Sequence, residues 1–123
     1  MIPAARLLGA LGALGGALGV ISGAVGAHVL HLEAGTREAR MFDTAVNYLL
    51  LHAVFVLAVA IATRERGWLV VMGLMLTGML CFSGGLMVQV ATGYKVPVIP
   101  FGGLCFIVGW LVAAGLCLRR RTD

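Results

Sequence analysis

Charge is what this sequence has least of: of 123 residues, 11% are Asp, Glu, Lys or Arg, against 61% that are apolar. A water-soluble chain carries about 25% charged residues, because its surface must stay hydrated. A soluble fold of this length would expose long hydrocarbon faces, and that class is excluded. Acids are scarcer still, five in all. Glu33, Glu38, Asp43 and Glu65 fall at or outside the apolar runs, and no run holds a paired charge of the kind proton-driven transporters use. Cysteine is limited to Cys81, Cys105 and Cys117. They are odd in number, without a CxxC pair, and set among apolar residues, which excludes a disulfide framework or a four-ligand zinc site. They read as small packing residues.

The cationic excess, net +4, lies in short connectors. Gripping nucleic-acid phosphates needs several cations on one face with hydrogen-bonding or aromatic groups among them. The one cluster, Arg119, Arg120 and Arg121, instead abuts an apolar run, as a positive-inside anchor does. No nucleic-acid partner is expected.

What the sequence does have is four apolar segments, residues 4–27, 42–63, 68–91 and 101–118. Each is close to the ~20 residues a helix needs to cross ~30 Å of hydrocarbon. Helix is the only form that satisfies its own backbone there, since an open sheet leaves edges bare and a barrel needs more strands. The fold class is therefore all-α, an integral membrane four-helix antiparallel bundle, with residues 1–123 forming one transmembrane domain.

The connectors agree. Residues 64–67 allow only an antiparallel hairpin, and residues 92–100 read as an irregular interfacial loop. Pro3 and Pro100 stand near helix starts, and Thr36 is placed to cap a helix running into the second span. Arg6, Arg64, Arg66, Arg119, Arg120 and Arg121 collect on one side, against Arg37, Arg40 and Lys95 on the other. That asymmetry predicts both termini in the cytoplasm, with Trp68 and Tyr94 at opposite interfaces. The first segment begins like a signal peptide, with Arg6 ahead of it and Val25-Gly26-Ala27 at its end, but it exceeds the ~7–15 residues of such a core. It is retained as a span.

Gly9, Gly12, Gly16, Gly19, Gly23 and Gly26 recur at steps of three and four along the first segment. Such a glycine zipper lets a neighbouring backbone approach closely, so that packing and weak backbone hydrogen bonds replace the hydrophobic drive that lipid removes. An internal partner is expected first, with this helix packing centrally, although a second protein would fit the same face.

Polar residues inside the membrane must find partners or line a wet cavity. His52 lies about 15 Å from the outer end of its span, near the midplane, with Tyr48 and Thr44 one and two turns above on the same face. Ser83, about 22 Å from the inner end of the third span, is level with Tyr48, and Trp110 falls near the depth of His52. Asn47 and Gln89 add polar groups in the outer half. Tyr48, His52, Ser83 and Trp110 form a candidate polar pocket.

Chemistry beyond this is thin. His28 and His31 offer i, i+3 spacing but lack a further ligand, and His52 is too deep to join them, so no metal site is expected. Haem would need a second axial ligand opposite His52, for which only a methionine such as Met79 is at hand. Ser83 has no acid to orient a His52 base. No cofactor is expected, and the chain is not expected to be an enzyme.

Taken in order, Gly23-Ala24-Val25-Gly26-Ala27-His28, Phe42-x-Thr44-Ala45-x-x-Tyr48-x-x-x-His52-Ala53, Phe82-Ser83-Gly84, Pro100-Phe101-Gly102-Gly103 and Gly109-Trp110 resemble the YgdD-like family of small membrane proteins, over nearly the whole chain. The resemblance implies a multi-pass bacterial inner-membrane protein of unknown function. Its motif positions fall on His28, Tyr48, His52, Ser83, Pro100, Gly102, Gly103 and Trp110. Val25 stands where an aromatic is common in that family, and Leu49 where a polar residue is, which argues against an extended polar chain beside Tyr48.

The expected function is non-enzymatic: a structural or accessory subunit in the lipid bilayer, docking to a membrane-protein partner or to a second copy. The alternative is a binding or transfer module for a small lipophilic ligand, such as a quinone or lipid, in an outer-leaflet pocket at Tyr48, His52, Ser83 and Trp110.

Overall fold

The computed structural model describes residues 1–119, so Arg120 and Arg121 of the basic cluster lie outside the described residues. Four helices, each long and apolar enough to cross a membrane, account for nearly all of it: Pro3–His28, Arg37–Ala62, Gly67–Thr92 and Ile99–Leu118. Local chemistry sets their ends. Pro3 opens the first helix and Pro100 lies in the first turn of the fourth, where a missing N–H costs no helical bond. The Thr36 side chain accepts from the Ala39 N–H at 3.3 Å and caps the second helix. Gly93, at φ 75°, closes the third in the left-handed region that glycine enters without strain.

Side-chain register shows how the helices run. A Cβ built on Gly9 would lie 2.7 Å from that of Ala60, one on Gly12 2.7 Å from Val56, and one on Gly19 2.6 Å from Leu50. Numbers fall along the second helix as they rise along the first, so the pair is antiparallel. Gly109 against Met75 and Gly67 against Leu116 show the same relation between the fourth and third helices. All-α, antiparallel and membrane-spanning, the bundle has its core between the second and third helices, where Val56, Val71, Met72 and Met75 are fully buried.

The glycine-lined first helix was expected at the centre, and it is not there. It is the least buried of the four and the third helix is the most. The physical reason is its composition. A glycine face brings backbones together but has little volume to enclose, and the remaining faces carry Leu7, Leu14, Leu18, Val20 and Ile21, all exposed. Those faces suit lipid.

The third helix is not uniform. Between its α-helical ends, Met79–Gly84 form a π-helical turn, in which hydrogen bonds span five residues and the backbone widens. The fourth helix meets it at Gly102, where a Cβ would run into the Phe82 nitrogen and lie 2.9 Å from the Cys81 carbonyl carbon.

Candidate functional site

His52 lies on the buried face of the second helix, 2% exposed. Its Nδ1 is 2.7 Å from the Tyr48 carbonyl one turn earlier, and its Nε2 accepts the indole N–H of Trp110 from the fourth helix at 3.1 Å. Since the indole can only donate, Nε2 carries no proton and Nδ1–H donates to Tyr48. Both ring nitrogens of a neutral imidazole are thereby satisfied. Phe106, one turn before Trp110, stacks on the same ring at 3.8 Å between centroids and 20° between planes.

Other rings complete the cluster. Tyr48 packs on Phe82 of the π-helical turn at 5.0 Å, and Phe55 on Trp110 at 4.6 Å. Three helices thus meet through rings around one histidine. Aromatic contacts of this kind contribute about 0.5–1.5 kcal/mol each beyond area burial.

Three of the four candidate pocket residues, Tyr48, His52 and Trp110, are brought together. Tyr48 is 43% and Trp110 42% exposed, while the ring of His52 is covered. Ser83, one residue beyond Phe82, is fully buried and its Oγ has no hydrogen-bond partner. Of the remaining motif positions, His28 ends the first helix at an exposed site, and a Cβ built on Gly103 would lie 3.7 Å from the Phe82 ring. Gly9, Gly12, Gly19 and Gly26 all face side chains of the second helix, the last that of Phe42; at Gly16 and Gly23 there is more room, a Cβ there lying 3.8 and 3.6 Å from Ala53 and Val46. The glycine face is therefore occupied within the chain.

Several contributors escaped the sequence reading. Gly15 faces the Met79 methyl and is more buried than Gly16, a choice that spacing alone does not make between adjacent glycines. Phe106 carried one signal, its place four residues before Trp110, but phenylalanine in a lipid-spanning run is too ordinary to stand out. Nothing in the sequence announces the π-helical turn beyond the Gly84-Gly85 pair.

Among the described residues no three His, Cys, Asp or Glu groups converge as a metal site would need. Where the second and third helices are joined, Arg119 bridges to Glu65 at 3.3 Å, an exposed pair that contributes about 0–1 kcal/mol.

Comparison with known proteins places this architecture. Residues 22–103 match the family described as Protein of unknown function (DUF423). The UPF0382 membrane protein SSP2132 of Staphylococcus saprophyticus is 32% identical over 111 residues, covering 83% of this chain and 88% of its own. The UPF0382 membrane protein YwdK of Bacillus subtilis is 30% identical over 113 residues, with 83% and 88% covered. A UPF0382 membrane protein of Haemophilus influenzae is 35% identical over 97 residues, with 73% and 78% covered. No solved structure matches. Matched along most of its length and built of four bilayer-length helices, the chain belongs to this family of membrane proteins, whose function is not known.

Proposed function

We propose that the chain is a non-catalytic subunit of a bacterial inner-membrane assembly, docking to another membrane protein or to a second copy of itself, with both termini cytoplasmic. The YgdD-like grouping suggested by the motif order belongs to the same reading. One observation supports it: the midplane histidine, the side chain best suited to chemistry, has both nitrogens engaged within the chain, Nδ1 by a carbonyl of its own helix and Nε2 by the Trp110 indole of the fourth. A reactive imidazole keeps one nitrogen available to a substrate or proton.

The seam that first suggested docking is filled by the second helix, so a partner would meet the lipid-facing rows. Long apolar faces of the first and fourth helices, including Leu14, Leu18, Leu104 and Leu111, offer such rows. The test is mass. Extracted from native membranes in mild detergent, the protein is expected to run with a specific companion or as an oligomer. A strict monomer that brings nothing with it overturns the reading.

A further inference from the structure

At the outer end of the first two helices lies a cleft of about 380 Å³, floored by Gly23, Gly26 and Ala27 and walled by Phe42, Asp43 and Asn47. Measured from Ala62, where the second helix ends, Asp43 stands about 29 Å and Asn47 about 23 Å along the axis, at about 1.5 Å per residue. With hydrocarbon about 30 Å thick, Asp43 sits at the far boundary and Asn47 about 6 Å inside it.

Both side chains are exposed, and neither has a hydrogen-bonding or ionic partner among the described residues. A carboxamide facing lipid at this depth needs a polar partner from outside the chain. Among the residues lining the cleft Asp43 alone is charged. Arg40, one turn above, is held by the Gly35 carbonyl at 2.6 Å. A ligand here must bring its own cation. A second copy does not, since a two-fold contact over this face would set one Asp43 against another.

We propose that the cleft binds the headgroup of a phospholipid bearing a primary ammonium, such as phosphatidylethanolamine, from the leaflet on the side of the loop at residues 29–36. The ammonium donates to the Asp43 carboxylate. Asn47, one turn deeper, donates its amide to a glycerol ester carbonyl of the same lipid. Glycines on the floor leave room for the headgroup beside the first helix. Choline has no N–H to donate, and phosphatidylglycerol adds a negative charge without a cation. The site is separate from the ring cluster and does not depend on the docking role.

The test uses the full chain in mild detergent, with phosphatidylethanolamine, phosphatidylcholine and phosphatidylglycerol of matched acyl chains titrated and bound lipid counted by native mass spectrometry. One phosphatidylethanolamine is expected to bind at least about tenfold more tightly than the others, the size of one charge-assisted hydrogen bond. Asp43→Asn removes that preference and Asp43→Glu retains it, with helicity checked by circular dichroism. If Asp43→Asn loses its helicity, Asn47→Leu, which suits lipid, decides instead, and phosphatidylethanolamine binding should fall by about twofold to fivefold. Equal binding of the three lipids, an unaltered preference in folded Asp43→Asn, unchanged binding in Asn47→Leu, or equally tight binding of soluble phosphoethanolamine would overturn the proposal.

Discussion

The Trp110 indole and the His52 imidazole are joined by a 3.1 Å hydrogen bond between the fourth and second helices. Neither ring has water to turn to at this depth, so the bond substitutes for hydration as well as linking helices.

Breaking that pair should loosen the bundle. Trp110→Phe is expected to cost about 1 kcal/mol and His52→Leu about 1–2 kcal/mol, the usual range for interhelical hydrogen bonds in membranes. A double-mutant cycle on thermal unfolding in detergent should return a coupling of about 0.5–1.5 kcal/mol. Zero coupling would mean that the two rings merely touch.

Gly9 and Gly16 lie on the same seam but should respond in opposite directions to alanine. At Gly9 the new methyl would be 2.7 Å from the Ala60 Cβ, an atom with no rotamer to move through, so the helices must part at a cost of about 1–3 kcal/mol. At Gly16 it would lie at 3.8 Å from Ala53, and the better helix former should gain up to about 1 kcal/mol. Unfolding midpoints of the two variants, measured side by side, check the order.

Gly102→Ala should be the most damaging of the alanine substitutions. Its methyl would strike the Phe82 nitrogen, and backbone cannot swing aside as a side chain does. A loss of about 3 kcal/mol or more is expected, seen as poor yield and early unfolding. Gly103→Ala, with 3.7 Å to a ring edge, should behave as wild type.

Ser83→Ala should be harmless or stabilising. An enclosed hydroxyl without a partner carries a desolvation penalty of about 1–3 kcal/mol, which the substitution relieves. Were the variant to melt well below wild type, the hydroxyl would have to be bonded after all.

Topology can be read by cysteine labelling. A thiol placed at Arg6 or beside Arg64 should react only with permeant reagents in intact cells, and one at Lys95 with impermeant reagents too, in keeping with the cation asymmetry. The reverse pattern would invert the orientation.

The four spans were legible because apolar length alone identifies a bilayer-crossing helix, and Thr36 because its cap is local chemistry. The glycine seam was legible as a face that meets a helix, with Ala60, Val56 and Leu50 opposite. Which helix takes the centre was not. Leu7, Leu18 and Val20 point at lipid while Val56 and Val71 point at the core, and no periodicity separates them, since both surroundings are equally apolar. The polar positions therefore carry most of the information, and helix rise alone sets His52 and Trp110 at matching depths. Phe106 and Phe82, which make that site what it is, are chemically indistinguishable in sequence from rings that face the acyl chains.

The widened turn at Met79–Gly84 divides the third helix into two cylinders whose faces are set separately: Met72 and Met75 aim one, Gly85 and Leu86 the other. Dropping a single residue there would restore an ordinary helical pitch while rotating everything toward Thr92, carrying Gly85 away from Ile99, the side chain its own missing methyl makes room for. The wide turn thus acts as a phasing element, letting one continuous rod answer to neighbours that are out of step along its length.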